Sequence, residues 1–98
     1  MLTMTNYRSY KMLTVYSKNN CPFCDQAKHL LKTNGFEYKE IKIDENPEAR
    51  EWLVAQGHRT APQIYLGEQL FVEGGYQGLA KLNAEQIQER IGALSVGN

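Results

Sequence analysis

The chain has 98 residues, enough for one small domain, and its 42% hydrophobic content supplies one compact core with little to spare. Lys+Arg and Asp+Glu are equal at 11 each, so the formal net charge is zero and the basic excess of a nucleic-acid binder is missing. No apolar run approaches the roughly 18 residues that a membrane span needs, and the opening MLTMTNYRSYK lacks the apolar region of a secretory signal.

Residues 1–10 are expected to form a short, mobile polar extension, residues 11–94 a single domain and residues 95–98 a tail. With no export signal the expected compartment is the cytoplasm. In that reducing setting a close cysteine pair is catalytic or metal-binding more often than a permanent staple.

Residues 11–17, KMLTVYS, mix β-branched and aromatic residues and predict a strand. Leu13 and Val15 fall on one face, Met12 and Tyr16 on the other. Both faces are apolar enough for a central strand covered on both sides. From Cys24 onward, Ala27, Leu30 and Leu31 have helical spacing. Asn34-Gly35 supplies the stop, and Lys32 sits favourably in the last turn. FEYKEIKID, residues 36–44, predicts a second strand with imperfect alternation: Ile41 and Ile43 share one face, Phe36 and Tyr38 the other.

Asn46 as cap and Pro47 as first helical residue open the next helix. Ala49, Trp52, Leu53 and Gln56 lie along its stripe, and Gly57 ends it. QIYL and QLFV flank Gly67-Glu68, a hairpin signal. Beyond Gly74-Gly75 the chain turns helical again. There Asn83 and Gln86 form a variant capping box, and Ile87, Ile91 and Leu94 make the apolar stripe. The order strand, helix, strand, helix, hairpin, helix predicts an α/β fold. Its βαβ half requires parallel strands and a right-handed crossover, and the hairpin adds antiparallel strands. The sum is a small mixed four-stranded sheet flanked by helices on both faces.

Cys21 and Cys24 are the only two cysteines. As a zinc site they supply two of the four ligands that tetrahedral zinc needs. His29 and His58 do not have the spacing of common fingers, and they read as surface or helix-packing residues; no metal site is expected. Redox chemistry fits the context better, because the pair follows a strand and opens a helix within a βαβ pattern. Only a thiolate attacks a disulfide, and unpaired N–H groups at a helix N-terminus favour a negative sulfur. Cys21 is expected at the cap, exposed to substrate, and Cys24 deeper, one turn in. Cys21 is then the attacking thiol and Cys24 the resolving one. Pro22 suits the first helical position, and Lys18 adds a positive charge nearby.

YSKNNCPFC, RTAPQIYLG and VEGGY, in that order, resemble the motifs of a dithiol glutaredoxin of the thioredoxin superfamily. The likeness spans roughly residues 11–92, with Phe23 where the family commonly has Tyr and Ala61 where it has Val. It implies a thioredoxin-like fold and a thiol-disulfide oxidoreductase with no tightly bound cofactor and glutathione as co-substrate. It also implies that Pro62 is a cis-proline facing the cysteines, and that Ala61 lends its backbone to an extended substrate after Thr60. Lys18 and Arg50 match positions that meet glutathione carboxylates, and Gly75 matches the Gly-Gly turn beside the site. Tyr76 is expected either as a site-flanking aromatic or as a packing residue at a helix start. The family commonly carries aspartates after Gly-Gly, where this chain has Tyr76-Gln77-Gly78. Gln77 can accept a hydrogen bond but gives no charge pair, so weaker or differently arranged glutathione binding is expected.

The partners implied are glutathione and protein disulfides, ribonucleotide reductase among them, and the protein is expected to be a monomer without nucleic-acid or membrane partners. One alternative is a thioredoxin-like electron donor to ribonucleotide reductase recharged by thioredoxin reductase. The Trp-Ser-Gly-Phe-Arg-Pro stretch typical of such donors is absent. Another alternative is a dimer binding a glutathione-ligated [2Fe–2S] cluster, against which Pro22 argues, since cluster-binding members usually have Gly or Ser there.

Overall fold

The computed structural model describes residues 12–96. The expected N-terminal extension, Lys11 and the last two residues of the expected tail lie outside the described residues. In chain order the elements are β1 (Leu13–Ser17), α1 (Pro22–Thr33), β2 (Tyr38–Lys42), α2 (Pro47–Ala55), β3 (Gln63–Leu66), β4 (Gln69–Leu70), α3 (Tyr76–Ala80) and α4 (Ala84–Val96). The strands form one sheet in the order β2-β1-β3-β4. β1 runs parallel to β2 and antiparallel to β3, and β4 is antiparallel to β3.

The two apolar faces of β1 explain its central place. Leu13 pairs with Leu66 and Val15 with Ile64. These four side chains pack with Ala27 and Leu31 of α1, Leu79 of α3 and Ile87 of α4, all essentially inaccessible. Each large side chain buried this way is worth about 1.5–3 kcal/mol. On the opposite face Tyr16 and Tyr65 meet Trp52 of α2, with Trp52 edge-on to Tyr65 at 5.1 Å between ring centroids. Helices therefore cover both faces, as expected.

Local chemistry sets the helix ends. The Asn46 side chain accepts the Ala49 N–H at 3.1 Å, with Pro47 at the first position. Asn83 and Gln86 satisfy each other's backbone N–H groups at 2.8 and 2.9 Å, a closed capping box. Gly35 at φ 83 follows Asn34 and stops α1.

The structure differs from the sequence expectation in five places, the first being β2, expected over 36–44 and formed over Tyr38–Lys42 because the chain already turns at Ile43 and Asp44. A single C-terminal helix was expected after Gly74-Gly75, but α3 and α4 are separate, because the Asn83 cap starts a new helix after the turn at Lys81. The second hairpin strand pairs over only Gln69–Leu70. Phe71 donates one more bond, to the Ile64 carbonyl at 2.9 Å, and then Phe71 and Val72 turn into the core. Gln56, expected along the stripe of α2 with Ala49, Trp52 and Leu53, is its exposed C-cap. α4 runs to Val96, past the expected start of the tail.

The imperfect alternation of β2 also has a cause. Glu40 lies on the same face as Tyr38 and is met there by two donors. The fully buried Ser17 hydroxyl donates to it at 2.6 Å and the Lys28 ammonium at 2.8 Å. The Lys28 and Ser17 hydrogen bonds hold the Glu40 carboxyl below the usual carboxylate range. The same bond to Glu40 holds the Lys28 ammonium above its usual range. Three elements, β1, β2 and α1, are tied at one point.

A depressed carboxyl pKa contributes stability above the unfolded-chain value and loses it as pH falls through the folded value. A raised lysine pKa contributes below the ordinary lysine value and loses it as pH rises through the folded one. Glu40→Gln is therefore expected to cost about 1 kcal/mol near neutral pH and clearly less near pH 3. Urea unfolding at the two pH values checks this; an equal cost at both would contradict it.

Candidate active site

α1 begins with Cys21 as its N-cap, in extended conformation at φ −127 and ψ 96, and Pro22 at the first helical position. The Cys21 sulfur takes the place of the usual cap oxygen and accepts the Cys24 N–H at 3.2 Å. The Cys21 carbonyl accepts the Asp25 N–H at 3.1 Å, the first bond of the helix. The two cysteines are joined as a disulfide, their Cα atoms 5.2 Å apart. Cys24 is fully buried and Cys21 is 7% exposed, so the opening to the sulfur is narrower than the sequence reading of an exposed Cys21.

The loop before β3 faces the pair. The Ala61–Pro62 bond is cis, and the Ala61 carbonyl oxygen lies 3.8 Å from the Cys21 sulfur. In the disulfide this sulfur carries no proton, so that contact is not a hydrogen bond; a thiol could donate there. The buried Gln63 side chain braces the loop by donating to the Thr60 carbonyl at 2.9 Å and to its hydroxyl at 3.3 Å. Gly74 and Gly75 both have positive φ, 88 and 59. A Cβ on Gly75 would stand 2.6 Å from the Pro62 carbonyl oxygen, so only glycine lets the two segments close up.

A groove of about 630 Å³ opens beside Ala61 and Pro62, bordered by Phe23, Thr60, Gly75, Tyr76 and Gln77. The structure thus gathers most of the expected substrate contacts. Arg50 is not among them: it lines a neighbouring cavity of about 400 Å³ on the α2 side, which meets the groove at His58 and Thr60. Lys18 is exposed in the short loop between β1 and Cys21 and makes no polar contact among the described residues.

Several site residues escaped the sequence reading. Asn19 ties the loop before Cys21 to the end of β2. Its N–H donates to Asp44 at 2.9 Å, its amide donates to Glu45 at 3.1 Å, and its side-chain oxygen accepts from Lys42 at 3.1 Å. Asn20 then takes φ 56, which asparagine tolerates better than most residues. His58, expected as a surface or helix-packing residue, is half-buried after α2 and lies 2.6 Å from the Tyr65 hydroxyl. Burial pushes the Tyr65 and Tyr16 phenols above their usual range. Glu73 is a groove carboxylate with no ion pair among the described residues. The doubled asparagine was the one visible signal; the others needed the fold.

Residues 13–71 match a family model described as glutaredoxin. The chain is 38% identical over 71 residues to glutaredoxin 3 of Escherichia coli, covering 71% of this chain and 83% of that one. It is 42% identical over 71 residues to the glutaredoxin-like protein NrdH of Lactococcus lactis, covering 72% and 99%. The solution structure of glutaredoxin from Brucella melitensis superposes with a TM-score of 0.67 at 33% identity, covering 92% and 95%. The thioredoxin-like fold is thus shared, and the family-model match takes in Cys21 and Cys24 but ends before Gly74-Gly75.

Gly75→Ala is expected to lower stability by about 2 kcal/mol or more and to damage thiol-disulfide exchange, since strain and collision coincide. Gly35→Ala, strained by its φ but with no atom within 4 Å of the added carbon, is expected to cost only about 1 kcal/mol. Thermal melts of both variants, with an exchange assay, check the ranking.

Proposed function

The chain belongs to the glutaredoxin family of thiol-disulfide oxidoreductases, and on that premise we propose that it reduces protein disulfides and glutathione mixed disulfides with glutathione as reductant. The observation that carries the reading is the Cys21 sulfur at the start of α1, accepting the Cys24 N–H and lying beside the Ala61 carbonyl. The Cys21 thiolate attacks one sulfur of a substrate disulfide, a mixed disulfide forms, and the other half leaves as a thiolate. Cys24 then attacks the Cys21 sulfur, releases the bound half and closes the intramolecular disulfide. One glutathione thiolate opens that disulfide, and a second displaces the first as oxidised glutathione.

The surroundings support these steps. One helical turn separates the thiols, so resolution is intramolecular and needs no diffusional encounter. Thr60, Ala61 and Gly75 offer backbone along the groove, and Phe23 and Tyr76 border it. Lys18 and Arg50 supply cations for glutathione carboxylates, and Gln77 an acceptor for its ammonium. The protein acts as a monomer in the cytoplasm, with ribonucleotide reductase among its substrates.

A second reading has its own support. Tyr76-Gln77-Gly78 offers no carboxylate after Gly-Gly, and a relative at 42% identity is the glutaredoxin-like protein NrdH. On this reading the protein is an electron donor to ribonucleotide reductase, recharged by thioredoxin reductase.

NADPH consumption with glutathione and its reductase, compared with thioredoxin reductase alone, separates the two. The first reading expects turnover only with glutathione. Cys21→Ser is expected to abolish reduction of every disulfide substrate. Cys24→Ser is expected to keep deglutathionylation and to lose most protein-disulfide reduction. Glutathione-dependent turnover surviving in Cys21→Ser would sink the assignment.

A further inference from the structure

The end of the sheet remote from the cysteines carries a groove that the exchange chemistry does not use. It encloses about 550 Å³ between the segment after α1 and α4. Gly35 and Phe36 line one side, and Ala84, Gln88, Ile91 and Gly92 the other. Phe36 and Ile91 are only partly buried against the core.

Two missing side chains make the space. A Cβ on Gly35 or on Gly92 would have no atom within 4 Å among the described residues. Gly35 is accounted for by its φ of 83, which stops α1. Gly92 is not: it lies inside α4, without a positive φ and with nothing pressed against it. Glycine is the weakest helix former after proline. At Gly92 it therefore weakens α4 with no compensating contact among the described residues. A group that uses the space has to come from elsewhere.

The chain itself supplies one. Residues 1–11, MLTMTNYRSYK, lie outside the described residues. They join the domain at the start of β1, where Leu13 lies level with Tyr38 in the parallel register. Met12 thus stands about one strand spacing, ~4.8 Å, from the Phe36–Tyr38 segment. From Ala84 to Gly92, α4 spans about 12 Å at 1.5 Å per residue. Residues 1–11 at about 3.3 Å each reach well past that. Charge agrees as well. Arg8 and Lys11 are the charged side chains of the segment, both positive. Glu37, Glu85 and Glu89, each next in sequence to a groove residue, are exposed and make no ion pair among the described residues. A segment on so short a tether acts at an effective concentration in the millimolar range, which favours it over a free partner.

We propose that this groove is the docking site of the chain's own residues 2–10, with the Tyr7 and Tyr10 rings covering Phe36 and Ile91 in the space over Gly35 and Gly92. Flat rings fit where a Cβ is missing, and covering both side chains removes apolar surface from water. Arg8 and Lys11 then meet the three carboxylates. The segment is a docked part of the domain, in place of the free extension that its polar composition suggests.

Thermal melts of the full-length protein test this in a four-member cycle: unmodified, Tyr7→Ser with Tyr10→Ser, Gly92→Ala, and all three together. Loss of both rings is expected to lower Tm by about 4–8 °C. With the rings gone, Gly92→Ala is expected to raise Tm by about 4–8 °C, as helix propensity alone dictates. With the rings present the same methyl enters occupied space, and the gain vanishes or reverses. An equal rise in both backgrounds overturns the proposal, as does a Tm untouched by loss of the rings. Sedimentation of the four proteins is expected to show monomers throughout. A dimer that Gly92→Ala dissociates assigns the groove to a second copy and overturns the proposal too.

Discussion

A helix whose first turn is capped by a sulfur is the constraint on which the site depends. The opening N–H groups of α1 need an acceptor, and Pro22 removes one of them outright. The Cys21 sulfur takes the Cys24 N–H at 3.2 Å. A neutral sulfur is a poor acceptor, whereas a thiolate makes a charge-assisted bond. The cap is therefore strongest in the ionised form, the form that attacks disulfides. With Cys21 as the proposed attacking thiol, helix capping and stabilisation of its thiolate draw on the same bond.

The sheet supplies the second half of the site by topology. β1 ends at Ser17, and β3, its antiparallel neighbour, starts at Gln63, opposite Tyr16. The residues just after β1 and just before β3 must then meet, and these are the Cys21 loop and Thr60–Pro62. Ser17, Glu40 and Lys28 tie the end of β1 to β2 and α1, which limits how far the helix start can drift from that loop. Gln63 does the same for the opposite wall.

Much of this was legible in the sequence because it rests on local chemistry. Asn46-Pro47, Asn83 with Gln86, and Asn34-Gly35 each satisfy or end a helix with groups close by in the chain. The apolar pattern of β1 likewise follows from alternation along one strand. The misses share a different cause. Glu40 interrupts the pattern of β2 because its partners, Ser17 and Lys28, are brought to it by tertiary packing. Asn19 reaches Lys42, Asp44 and Glu45 only after the βαβ crossover closes. The β4 ladder ends early because the core claims Phe71 and Val72. Arg50 was assigned by likeness and not by local pattern; it lines the cavity that adjoins the groove at His58 and Thr60.

Gly75 and Gly78 bracket a short stretch whose two ends are fixed. Any side chain at Gly75 meets the Pro62 carbonyl, and any side chain at Gly78 meets that of Glu73. Between them, Tyr76 is half-buried and Gln77 is exposed, and both border the groove. The backbone there is anchored at two points that tolerate no change, while between them Tyr76 packs against the edge of the core and Gln77 is free of it. Such a segment can accumulate substitutions that alter what the groove accepts without loosening the reactive pair. Descendants of this scaffold can therefore diverge in choice of partner faster than in chemistry.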